Sequence, residues 1–221
     1  MDQIVFRNAT INDIPFLVDT IIEGEKSGTD KLSYSTVFGL TEEESGKYIG
    51  DMLSEEVDGC ELSISSFLIA EKDGQSAGAI SGWIEGSTGI SSSILKANLL
   101  KYILPERCFL HVREINSIIR ELNIEYINNT IQIGAGFVTG EFRGDRIFGK
   151  LLSEIIDRLS RLRPDINEVY AQIFSCNLPS IKGSEREGFR VVMEKVSLND
   201  KILQYLPSDK KLLMKKELFT K

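Results

Sequence analysis

The chain is 221 residues long, 42% hydrophobic and 27% charged, with a net charge of −7. That length fits one large domain or one domain with an insertion, and that balance excludes a disordered or fibrous chain. The acidic surplus argues against nucleic acid as a partner, because a duplex binder needs clustered lysine and arginine to displace counterions. Cys60, Cys108 and Cys176 lie far apart and His111 is the single histidine, so no Cys/His metal site is expected. Sparse cysteine fits a reducing cytoplasm. The first residues carry no basic-then-apolar leader and no apolar run reaches membrane-spanning length, so no membrane partner is expected.

Ile4–Arg7 reads as a short strand. Thr10–Asp13 then offers cap residues before a helix with Pro15 in its first turn and Ile14, Leu17, Val18, Ile21 and Ile22 on one stripe. Residues 41–56 read as a second helix, acidic at its start as the dipole prefers. Phe67–Gln75 is a strand running into an Asp73-Gly74 turn, with residues 76–85 as its hairpin partner. Residues 87–125 look helical in two pieces separated near Pro105. Tyr126–Val138 is β-like, and Gly134 and Gly136 inside it suggest a bulge or the close approach of another backbone or ligand. Gly149–Arg163 is the clearest helix, with Leu151, Leu152, Ile155, Ile156 and Leu159 on one side. A strand at 169–174, a short helix at 180–187 and closing strands at 190–198 and 212–218 complete a mixed α/β (α+β) pattern.

The segment from Val138 to Leu152 carries the chemistry. A strand ends, a loop with glycine and arginine follows, and a long amphipathic helix begins. Unpaired backbone N–H groups and the dipole at such a helix start favour a phosphate. Arg143, Arg146 and Lys150 add positive charge there. A glycine-rich turn with solvated arginines is the plain alternative.

This segment resembles the pyrophosphate loop of the GNAT superfamily of acyl-CoA-dependent N-acyltransferases, with Val138, Glu141, Arg143, Gly144, Leu151 and Leu152 in register and Phe142 in place of a tyrosine. Two further stretches match the family in order. Asn177–Phe189 is similar to its N-x-x-A-I-x-L-Y-x-x-x-G-F motif, and Arg7–Pro15 to its R-x-A-T-x-x-D-I-P opening. Arg146 and Phe148 stand where the family's loop has glycine, and Ser184 where its second motif has tyrosine.

The resemblance implies one domain over residues 1–221. Its mixed, mostly antiparallel central sheet would be flanked by helices, with a helical insertion at about 87–125 between the third and fourth strands. It also implies transfer of an acetyl group from acetyl-CoA, used as co-substrate without a metal, to an amine-bearing acceptor. Main-chain groups of Phe137, Val138 and Thr139 would pair with the pantetheine arm, and the Val138 N–H would polarise the thioester carbonyl. Arg143, Gly144, Asp145, Arg146, Ile147, Phe148, Gly149 and Lys150 would cradle the pyrophosphate, and Asn177 would bind the arm. Ser184 stands at the position of the tyrosine that protonates the leaving thiolate in many relatives. Gln172 stands where some relatives carry a glutamate base, which leaves Glu85, Glu114 and Glu125 as candidate bases beside a surface role for each. His111 and Cys176 suit packing better than chemistry, and Trp83 suits the core. The 87–125 region could cover the acceptor pocket, form a homodimer surface or simply pack. The alternative to an enzyme is a non-catalytic module of the same fold that binds CoA or a protein.

Overall fold

The computed structural model describes residues 4–218. Seven strands form one sheet: β1 (Ile4–Asn8), β2 (Phe67–Lys72), β3 (Gln75–Ile84), β4 (Ile131–Val138), β5 (Glu168–Phe174), β6 (Arg190–Val196) and β7 (Lys210–Glu217). Their spatial order is β1-β2-β3-β4-β5-β7-β6. Every neighbouring pair is antiparallel except β4 and β5. The β2–β3 hairpin turns through Asp73 (φ 53°) and Gly74 (φ 78°), the two left-handed residues a type I′ turn requires.

The sheet is covered on both faces because its strands alternate between two cores. Phe67 and Ile69 of β2 face α1 (Ile14–Lys26) and α3 (Glu42–Ser54), where they meet Leu17, Ile21, Ile49, Met52 and Leu53. Leu68 and Ala70, one step along, face α6 (Ile147–Leu162) and its stripe of Leu151, Leu152, Ile155 and Ile156. Between β3 and β4 lie α4 (Ser92–Ile103) and α5 (Glu106–Ile119), the two expected helical pieces. Two helices escape the sequence reading: α2 (Ser33–Phe38), six residues bounded by Gly39 in the left-handed region, and α8 (Ile202–Tyr205), a single turn. Both are too short to show helical periodicity. The long helix begins at Ile147, two residues before the expected Gly149, and α7 (Leu178–Arg186) completes the set. β4 begins at Ile131, so residues 126–130 are loop.

The entry to α1 is pinned electrostatically. Arg7 donates to both oxygens of Asp13 at 2.8 Å, and the N–H and hydroxyl of Thr10 donate to Asp13 Oδ2. The guanidinium, helped by Thr10, outweighs burial and holds the Asp13 carboxyl down at about 2. A carboxyl whose pKa is depressed on folding stabilises the fold fully above its ordinary value near 3.8 and loses that contribution as pH falls towards 2. Asp13→Asn should therefore cost about 2 kcal/mol at pH 7. The gap from the parent protein should shrink at pH 3, as read by urea denaturation at both pH values.

Candidate active site

β4 and β5 pair only through Ile131–Ile133 against Val169–Ala171. Past that point the strands part. The cause lies in β4: between the pairs Ile80–Gly136 and Gly82–Ile133, β4 has one residue more than β3. This bulge around Gly134 and Ala135 bends the strand. A side chain at Gly134 is excluded, since its Cβ would lie 2.5 Å from Ser81 Oγ and 3.0 Å from the Trp83 ring. Beyond the bulge, the Thr139 N–H donates to Ala77 O at 3.0 Å, towards β3. Alternation along the strand turns the N–H and C=O of Val138 to the opposite edge, into the gap.

Two cavities open into this gap. The outer cleft, of about 830 Å³, runs between the end of β4, the start of α6 and α7, and is lined by Phe137, Val138, Arg143 and Arg146 among others. The inner cavity, of about 200 Å³, lies between α1, α4 and strands β4, β5 and β7. Gly24, Gly136, Phe148, Asn177 and Ser180 line both, and so mark the boundary between them, here called the throat. The Phe148 ring stands between β4 and α7. A Cβ on Gly136 would come 3.2 Å from it and one on Gly183 2.9 Å, which is why both positions lack a side chain.

At the outer mouth, Arg146 is the residue before α6 and has φ 56°, the left-handed conformation that glycine adopts without penalty. An arginine there is strained by about 1–2 kcal/mol. Its side chain is exposed, and the first N–H groups of α6 have no backbone partner outside the helix among the described residues. The dipole and the exposed guanidinium of Arg143 complete an anion-attracting mouth.

The inner cavity is lined by Glu25, Glu61, Lys96 and Lys211 together with Tyr34, Tyr126, Gln172 and Ser184. Glu61 accepts from Lys96 Nζ with one oxygen and from the Tyr126 hydroxyl with the other. Burial pushes the Glu61 carboxyl up, but the Lys96 ammonium and Tyr126 hydroxyl more than offset it and leave it below the usual range. Lys96 is correspondingly held well above its ordinary value, against burial, by Glu61. Burial pushes Tyr34 up against the pull of the nearby Lys96 ammonium, and its hydroxyl makes no hydrogen bond of regular geometry among the described residues.

No protein-family model matches the chain, and no curated protein sequence does. Solved structures do. An N-acetyltransferase from Staphylococcus aureus Mu50 superposes with a TM-score of 0.63 at 14% identity, covering 96% of this chain and 99% of its own. A GNAT-family acetyltransferase from Streptococcus pneumoniae gives 0.51 at 14% identity, covering 98% and 100%. This chain has the GNAT fold. An aminoglycoside acetyltransferase solved with coenzyme A gives 0.52 at 14% identity over 97% and 95%. At such identities the likeness is one of architecture.

Within the GNAT fold, the outer cleft gathers Phe137, Val138, Arg143, Gly144, Arg146, Ile147, Phe148, Gly149 and Asn177 from the sequence-derived set. Three others fall outside its lining. The N–H and hydroxyl of Thr139 are spent on Ala77 O. The Asp145 carboxylate turns to Lys72 at 2.8 Å. Lys150 is exposed, with its N–H already bonded to Arg146 O inside the first turn. Asn177 Oδ1 caps α7 by accepting from the Ser180 N–H at 3.3 Å, leaving its amide NH₂ for other partners. Ser184 lies in the inner cavity, 2% exposed.

None of the three carboxylates considered as bases lines either cavity. Glu85 accepts from the Trp83 indole at 2.8 Å and from the Ser92 N–H at 3.0 Å, tying β3 to the start of α4. Glu114 and Glu125 are exposed. His111 packs against Gly39 and contacts Thr36 O at 3.1 Å, Cys176 leans on Ser27 O, and Trp83 is buried. Sequence reasoning missed Glu25, Glu61, Lys96, Tyr34, Tyr126 and Lys211, which come from separate segments. One carried a signal: Lys96 shares a helical stripe with Ser92, Leu99, Leu100 and Ile103, an apolar face on which a lysine is out of place.

Proposed function

We propose that this protein transfers an acetyl group from acetyl-CoA to the amine of a small acceptor, as one domain in which α4 and α5 form an insertion. The observation that carries this reading is the throat. There a cleft with an anion-attracting mouth adjoins a second, polar cavity, at the point where β4 and β5 part. Acetyl-CoA supplies an activated acetyl thioester. The α6 N-terminus, Arg143 and Arg146 hold its pyrophosphate, and the edge of β4 turned away from β3 at Val138 pairs with the pantetheine arm once Arg143 Nε, which donates to the Val138 carbonyl at 3.3 Å, has turned to the phosphate. The Val138 N–H stabilises the oxyanion as the acceptor nitrogen bonds to the carbonyl carbon and the C–S bond breaks. Glu25 lines the inner cavity with no hydrogen bond or ion pair among the described residues, so it is the carboxylate placed to take the proton from the attacking amine. The serine hydroxyl at Ser184 is a far weaker acid than a phenol, so water protonates the departing thiolate.

Arg143→Ala should weaken acetyl-CoA binding by about tenfold or more, the worth of a charge-assisted phosphate contact, and the loss should shrink at high salt. Calorimetry at two ionic strengths checks this, and unchanged affinity would mean that the mouth is not the phosphate site. The non-catalytic reading draws on the Phe148 ring, which stands in the throat. Thiol release with a panel of amines separates the two: binding of acetyl-CoA without turnover favours the module.

A further inference from the structure

The charges of the inner cavity are balanced in number but not in pairing. Glu61, Lys96 and Tyr126 form a closed set. Left over are Glu25 on α1, Lys211 on β7 and the Tyr34 hydroxyl on α2. Lys211 forms no ion pair among the described residues, and its ammonium rests over the Phe174 ring, 5.4 Å from the centroid. Burial lowers its pKa, and Glu25 and Glu61 act on it only through space. Unpaired charged and polar groups facing one cavity are costly unless a ligand completes them. An acid and a base left over together do not suit a polyamine, which would meet Lys211 as a like charge.

We propose that the acceptor is a small amphoteric amine, an amino acid or close derivative with a free carboxylate, whose carboxylate binds Lys211 and whose amine lies towards Glu25. Glu25, Lys211 and Tyr34 all line the inner cavity, so both ends of such a ligand meet a group of opposite charge within it. The Tyr34 hydroxyl is a further donor for the carboxylate. The cavity of about 200 Å³ has room for roughly seven waters at about 30 Å³ each, the scale of a small amino acid and too little for an oligosaccharide. This inference rests on the acetyl-transfer reading for the identity of the ligand as acceptor.

The test is calorimetry of the full chain with amino acids and their decarboxylated counterparts: leucine and isopentylamine, ornithine and putrescine, arginine and agmatine. At least one amino acid should bind about tenfold or more tightly than its counterpart, because a hydrogen-bonded charge pair is lost with the carboxylate. Lys211→Met, and Lys211→Gln as a second replacement, should abolish that preference. Equal or tighter binding of the decarboxylated member in every pair, no binding by any member, or a preference that survives both variants overturns the inference. Titration with acetyl-CoA, run separately, shows whether the acetyl-transfer reading itself has failed.

Discussion

Glu61→Ala should lower stability by about 3 kcal/mol, because removing one partner of a buried ion pair leaves the other charge uncompensated. For a chain of this length that corresponds to roughly 6–12 °C in melting temperature. Glu61 is the only residue that touches both Lys96 and Tyr126 in the inner cavity among the described contacts, so its loss strands a lysine and a phenol together. Lys96 would keep the Tyr34 ring, 5.4 Å from its ammonium, and the through-space attraction of Glu25. Neither replaces a carboxylate in contact. The double variant Glu61→Ala/Lys96→Met should recover most of the loss, since no charge is then left alone. Thermal melts of the two single variants and the double variant close the cycle. A double variant as unstable as the sum of the singles would show that the pair is not the source of the effect.

Gly136→Val should cut turnover with acetyl-CoA by about 100-fold or more, the loss that follows when reacting groups are displaced by an ångström. Gly136 lines both cavities, and its Cβ would already sit 3.2 Å from both Ile80 Cγ1 and the Phe148 ring. The two methyls of valine extend further into the throat. Overpacking costs about 1–3 kcal/mol, so the variant should still fold. Its secondary structure and melting temperature are measured alongside thiol release. Undiminished turnover in a folded variant would mean that the acetyl group does not pass the throat.

The fold was legible because its signals are local. Asp73-Gly74 between two apolar runs announces the β2–β3 hairpin, and the stripe from Leu151 to Ile156 announces α6. The bulge was foreshadowed by Gly134, which is glycine because Ser81 and Trp83 occupy the space of a side chain. The outer cleft was legible for the same reason, since about half of its lining lies in one continuous segment from Gly136 to Gly149. The inner cavity was not. Glu25, Glu61, Lys96 and Lys211 meet only after α1, the loop before β2, α4 and β7 have packed, and no spacing in the chain links them. Nothing in the chain ranked Glu85 against Glu114 and Glu125 as a base, and the structure engages Glu85 with Trp83 and Ser92 instead. Arg146 shows how a departure from a motif can be absorbed. Its backbone takes a left-handed conformation, φ 56°, that glycine adopts without penalty, and the strain falls on one residue.

Calorimetric titration of the full chain with acetyl-CoA decides whether the outer cleft holds the cofactor. One saturable site per chain is expected, with a dissociation constant on the order of micromolar, within the usual range for enzyme substrates. Binding should weaken as salt rises, because the mouth attracts the pyrophosphate by charge. No detectable binding, or binding indifferent to both salt and Arg143→Ala, would contradict a cofactor site there.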